Sequence, residues 1–288
     1  MEHAGKALKL IAESMDLEIE EAKQAGALGY MARAMVQATM PHRKPAESFF
    51  ERTNGAFTLT MMAPPKVGLP YGSMPRLLMA WITTEAVRTK SRELILGDTL
   101  SAFMRELGLV PTGGRWGSIT RLREQCRRLF TTSVSCLYVG DPRHQGETGF
   151  RIADRHMLWW DPKSPDQADL FASIVHLSEL FFAELIKAPV PIDVRTLKKL
   201  SQSPLAIDIY VWLTHRMSYL RQRTMIPWPT LEAQFGAEYT RTNDFRSAFL
   251  YHLESVLVVY PKANVAPERG GLVLRPSPTH IPRLIPGV

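Results

Sequence analysis

The residues best placed for chemistry in this sequence begin at Gly113-Gly114-Arg115-Trp116-Gly117-Ser118 and run on to Arg128. Between positions 88 and 128 nine Lys and Arg stand against four Asp and Glu, a local surplus of five where all 288 residues carry +7. The planar guanidinium fork of arginine fits guanine edges and phosphate oxygens, so this segment offers recognition of a nucleic acid rather than bond making. At 100° per residue Gly117, Arg121, Glu124, Gln125 and Arg128 face away from an apolar stripe of Trp116, Ile119, Leu122, Cys126, Leu129 and Phe130. Arg123 and Arg127 fall on its rims, and Trp116 is expected in the core or packed against backbone. Glycines at the helix entrance would let backbone amides approach a phosphate at the positive end of the dipole; a flexible turn without a ligand is an equal alternative. Taken alone, the helix reads equally as a solvated face on which Glu124 pairs with Arg121 and Arg128. The residues expected to contact DNA here are Arg115, Ser118, Arg121, Arg123, Gln125 and Arg128.

A second, less basic set lies near the C-terminus. Asn243, Ser247, Leu250 and Tyr251 share an outward face with Arg241 and Arg246 nearby, while Phe245, Phe249, His252 and Val256 face in. Arg241, Asn243, Arg246, Ser247 and Tyr251 are the expected DNA contacts of this helix, since Asn, Ser, Tyr and Arg can all read base edges.

Catalytic chemistry finds little to work with. There is no GxxxxGK[ST] loop, no GxGxxG after a strand, no HExxH and no GxSxG, and the eight histidines form no His-x-His pair. Cys126 and Cys136 have no metal-ligand spacing and are too few for a disulfide framework, so they read as reduced, partly buried thiols. No enzyme activity, metal or cofactor is therefore expected. No stretch reaches the roughly 18 apolar residues of a membrane span, and the N-terminus does not read as a secretory signal. A soluble, cytoplasmic protein is expected, with 45% hydrophobic residues to build its core.

The elements that would position these residues follow from periodicity and punctuation. Residues 1–44 look helical, with Leu8, Ile11, Met15 and Ile19 at spacings of three and four, and six acids against three lysines in the first 24 positions. That acidic segment fits either docking on its own domain or a homodimer contact. A hairpin turning at Asn54-Gly55 is expected next. Then come a helix from Pro75, a strand over 92–97, a helix capped by Asp98 and stopped by Gly108, the arginine-rich helix, and strands over 133–139 and 149–160. Helix, short strand, helix, turn, helix, hairpin is the order of a winged helix, whose third helix enters the major groove. Within that order the DNA reading of the arginine helix is preferred.

The order then recurs. Ala80-Trp81-Ile82-Thr83 returns as Val211-Trp212-Leu213-Thr214, and Thr99-Leu100 as Thr230-Leu231, both at an offset of 131 residues. The expected class is α+β: two tandem winged-helix domains with an N-terminal helical extension. The extension covers 1–44, the first domain 45–162 and the second 163–288, with the seam near 161–166.

One long run, Gly68-Leu69-Pro70-Tyr71-Gly72-Ser73-Met74-Pro75-Arg76-Leu77-Leu78-Met79-Ala80-Trp81-Ile82-Thr83-Thr84-Glu85-Ala86, resembles the plasmid-encoded RepA-type replication initiator family. So do Phe103-Met104-Arg105-Glu106-Leu107-Gly108-Leu109 and Thr112-Gly113-Gly114-Arg115-Trp116-Gly117, continuing into Arg121-Leu122-Arg123-Glu124-Gln125. The resemblance begins near Ala34 and runs through most of the chain. It implies a plasmid replication initiator that binds direct repeats at the origin, promotes origin opening and recruits the host initiator protein and replicative helicase. It also transfers a DNA-contact role to the helix from Arg115 to Arg128, whereas the role of the second helix rests on the internal repeat. The alternative is a winged-helix transcriptional repressor that binds an inverted repeat as a dimer.

Overall fold

The computed structural model describes residues 27–141, 144–167, 172–236 and 239–281. The helix expected over the first 24 positions lies outside these residues, as do Pro142 and Arg143 of the turn between the expected strands of the first hairpin. The described chain opens with strand β1 (Leu28–Met31) and the short helix α1 (Arg33–Gln37), where a continuous helix through residue 44 was expected. The hairpin β2 (Phe49–Asn54) and β3 (Phe57–Met62) follows, turning at Gly55 with φ 59°. Helix α2 (Ser73–Thr89) leads to β4 (Glu93–Ile95), α3 (Leu100–Glu106) and α4 (Ser118–Thr131). The cap of α3 is Thr99 rather than Asp98, because Thr99 Oγ1 accepts the Ala102 amide at 3.1 Å. Next come β5 (Ser133–Asp141), β6 (His144–Arg151), β7 (Ala153–Met157), β8 (Ile174–Leu177) and α5 (Glu179–Lys187). The chain continues through β9 (Val190–Asp193), α6 (Val194–Lys199), α7 (Pro204–Met217), β10 (Thr224–Pro227) and α8 (Trp228–Phe235). It closes with α9 (Thr242–Val259), β11 (Val265–Glu268) and β12 (Gly271–Leu274).

Among the described residues all strand pairing is antiparallel. The second half forms a three-stranded sheet β10-β12-β11, so the short strand after α7 is zipped to the closing hairpin. The first half has the same relation in the sheet β4-β8-β7. Its expected hairpin differs from the structure: the strand foreseen over 149–160 breaks at fully buried Ile152. There the Ile152 amide donates to Thr132 O and its carbonyl accepts from the Ser178 amide, both at 3.3 Å. The part before the break, β6, joins the sheet β2-β3-β5-β6, and the part after it, β7, pairs with β8. Strand β8 and helix α5 both lie beyond the 161–166 segment, yet β8 sits between β4 and β7, and α5 packs on α2 and β6.

The internal repeat has a counterpart in packing. Trp81 on α2 meets Phe103 on α3 edge to face at 5.0 Å and 88°, and Trp212 on α7 meets Phe235 on α8 at 5.5 Å and 84°. Both tryptophans anchor the first helix of a unit to the second. The units are joined through their cores, since Leu77, Leu78 and Ile82 belong to one continuous apolar cluster with Leu205 and Ile209. Strand β1 pairs with β9, and each short helix that follows crosses over, α1 packing on α7 and α6 on α2. The pairing explains why the helical spacing failed at residue 28: partners from the far half of the chain satisfy the backbone there, and tertiary pairing overrides local propensity. No helix among the described residues is long and apolar enough to cross a membrane.

Candidate nucleic-acid interface

The entrance to α4 is a latch between Thr112 and Ser118. The Thr112 amide donates to Ser118 Oγ at 2.9 Å, the Ser118 amide donates to Thr112 Oγ1 at 2.9 Å, and Ser118 Oγ donates to Val110 O at 2.6 Å. Ser118 is thereby buried, a correction to its expected DNA contact, because its hydroxyl is consumed in closing the turn. Gly117 is required beside it: a Cβ there would sit 2.2 Å from Thr112 O and 2.3 Å from Gly113 O. Gly113 and Gly114 are open, and the loop they form presents Arg115, whose guanidinium lies 5.1 Å over the Trp116 ring. Trp116, expected in the core or packed against backbone, is 79% exposed.

Two further expected contacts are also structural. Gln125 is buried and its Oε1 accepts the Tyr71 amide at 3.0 Å. Arg128, 6% exposed, donates from Nη1 to Leu69 O at 3.0 Å, stacks on Tyr71 at 5.4 Å and grips Glu124 Oε1 through Nε and Nη2 at 3.0 and 2.6 Å. The cause is the extended segment 68–72, which lies along this side of α4. Gly68 touches Arg128 so closely that a Cβ would be 2.6 Å from its Nη1. The exposed face therefore carries Thr120, Arg121, Glu124 and Arg127, rotated by roughly 55° from the expected one at 100° per residue.

That face keeps a net positive charge. Glu124 is neutralised by buried Arg128, while Arg121 and Arg127 are exposed and their guanidinium groups have no hydrogen-bond or ion-pair partner among the described residues. Arg127 and Arg151 flank half-buried His156, whose pKa is lowered by burial and then by those two cations. Arg123 is half-buried, with an Nε that finds no acceptor. Arg127, expected on a rim, faces out because the extended segment 68–72 claims the opposite side of α4. Arg121 also lines a cleft of about 420 Å³ with Tyr71, Ser73, Gln125 and Gln202.

The face of α9 differs in character. Asn243, Ser247 and Tyr251 are exposed as expected, Tyr251 by 69%, whereas Leu250 is half-buried. Arg241 Nε donates to Asp244 at 3.0 Å, and Arg246 is half-buried with its guanidinium 5.1 Å from the Trp228 ring. With Asp244 and Glu254 on the exposed side, α9 offers hydrogen-bonding groups and little net charge. Base edges suit such a surface better than phosphates do. No cluster of His, Cys, Asp and Glu among the described residues could hold a metal ion.

Comparison with known proteins bears on this arrangement. Residues 69–229, 161 of the 288, match the family described as "Plasmid encoded RepA protein". No curated protein matches the sequence. Among solved structures, a selenomethionine crystal structure of domains 2 and 3 of RctB superposes with a TM-score of 0.52 at 13% identity, covering 84% of this chain and 97% of that one. A second structure of RctB domains 2–3 gives a TM-score of 0.48 at 13% identity over 83% and 94% of the two chains. At that identity the first likeness is one of fold. The family match ends inside α8, so α4 lies within it and α9 beyond it.

Proposed function

Because this chain belongs to the plasmid-encoded RepA protein family of replication initiators, we propose that it starts replication of its plasmid by binding repeated duplex sites at the origin. Each repeat is read by two winged-helix units, with α4 in one major groove and α9 in the next. The observation that carries this is the pairing state of the arginines on α4: Arg121 and Arg127 are exposed without partners while the nearest acid is neutralised from within. An exposed cationic helix face of this kind gains affinity by releasing counterions from DNA. The boundary between the units falls near Ala188-Pro189, after β8 and α5 have joined the first. The protein works in the cytoplasm without catalysis of its own, opening the origin by binding and handing it to the host initiator protein and helicase.

The test is complementation. A plasmid carrying the origin but not this gene is maintained when the protein is supplied in trans, and Arg121→Ala combined with Arg127→Ala abolishes maintenance. Maintenance without the protein, or a protein that only silences a promoter, contradicts the proposal and favours the repressor alternative. Nicking of supercoiled origin DNA by the purified protein would overturn the non-catalytic part.

A further inference from the structure

Arg76 and Asp208 meet where the two units join. Arg76 lies on α2 and is 1% exposed; Asp208 lies on α7 and is 8% exposed. Under the 131-residue offset Arg76 corresponds to Ile207 and Asp208 to Leu77, so the two charges occupy nearly equivalent places on equivalent helices. All five guanidinium N–H donors are used. Nε and Nη2 donate to the two Asp208 oxygens at 2.7 Å each, Nη2 also to Met40 O at 2.7 Å, and Nη1 to Gly72 O at 2.7 Å and Pro41 O at 3.2 Å. His42 completes the set, its Nε2 2.7 Å from Asp208 Oδ2.

We propose that this buried Arg76–Asp208 pair fixes the spacing and rotation of α4 relative to α9, so that the chain binds only DNA sites of one half-site spacing. The inference rests on the two-unit DNA reading above. The physical distinction is between apolar and polar contact. The shared apolar core supplies cohesion but is non-directional, and such surfaces can slide without a large change in buried area. A bidentate guanidinium–carboxylate pair is satisfied in one geometry. A shifted interface would leave a carboxylate and up to five donors unpaired away from water, which the interior penalises heavily. Arg52 supports the same placement, since this buried β2 residue donates from Nη1 to Gln234 O on α8 at 2.8 Å. Arg76 and Asp208 are thus positioning residues that act on DNA through the helices they hold.

Two measurements test this. The first uses the duplex that the parent protein selects from a random-sequence pool, and the same duplex with five base pairs inserted between its half-sites, about half a turn. For the parent, insertion lowers affinity on the order of 100-fold, because one unit loses its groove. For Asp208→Asn and for Arg76→Lys, which keeps the charge but not the fork, the two duplexes are bound within about threefold of one another. Variants with the parent's sharp discrimination overturn the inference alone; a parent that selects no duplex overturns the initiator reading and this inference with it. The second needs no DNA and leaves Arg76 and Asp208 in place. Spin labels at Thr120→Cys and Ser247→Cys report the α4–α9 distance by pulsed electron paramagnetic resonance. Cys126 is buried and stays unlabelled, and half-buried Cys136 is replaced by serine in the labelled protein and in its control. One narrow distance is expected in the parent, and a broad distribution there overturns the proposal.

Discussion

Arg128→Ala separates structure from DNA contact on α4 most sharply, because the sequence assigns this residue to DNA and the structure assigns it to the segment 68–72. The change removes a buried charge-assisted bond to Leu69 O, worth about 1.5–3 kcal/mol. The grip on Glu124, which is 46% exposed, adds about 0.3–0.5 kcal/mol. Loss of the buried stem against Tyr71 leaves a small void and brings the total to about 2–4 kcal/mol. In thermal unfolding followed by circular dichroism the midpoint falls by roughly 3–7 °C. In binding to a duplex carrying the plasmid origin, measured between 50 and 200 mM salt below that midpoint, the slope of log K against log salt stays at the parent value. An unchanged midpoint together with a slope shallower by about 0.9 would refute the placement, since that is the signature of one lost phosphate contact.

Further outcomes follow from the same geometry. Arg121→Ala leaves the thermal midpoint within about 1 °C, as expected for an exposed residue without partners, and weakens duplex binding by about 1–3 kcal/mol if it reads a base edge; filter binding on matched and single-substituted duplexes checks both. Gly117→Ala lowers the midpoint by more than Gly113→Ala does, because only at position 117 does a new Cβ strike backbone oxygens. Acid destabilises the fold below about pH 6.5. His42, His156, His252 and His280 all have pKa values lowered chiefly by burial, so their stabilising share is complete above the ordinary value and is lost as pH falls toward the folded one. Urea midpoints at pH 7 and pH 5 report this, with a ceiling of about 1.4 kcal/mol per histidine per pH unit, and His42→Gln reduces the difference.

Much of the architecture was legible because it is written in local signals. Asn54-Gly55 set the β2–β3 turn, Gly108 followed the end of α3, and the Trp81 and Trp212 offset picked out two residues that make matching edge-to-face contacts. What the sequence hid were non-local choices. One residue, Ile152, divides a single predicted strand between two sheets, and its hydrogen bonds go to Thr132 and Ser178, which no alternation pattern identifies. On α4 the periodicity located the apolar side correctly through Ile119, Leu122, Cys126 and Leu129. It could not show which polar flank the segment 68–72 would overlay, so Gln125 and Arg128 were assigned to solvent. Arg76 and Asp208 did leave a signal: each is the only charge in a long apolar stretch of helix, from Ser73 to Thr84 and from Pro204 to Thr214. Lone charges in buried helices require partners, and two such helices in one repeat could have been matched to each other.

Hydroxyl-radical footprinting of the origin with the purified chain tests the two-unit initiator most directly. It predicts an array of direct repeats, each protected over two adjacent major grooves on one side of the duplex, with the protected centres roughly one turn apart. Protection confined to a single palindrome, or to one groove per repeat, would contradict it.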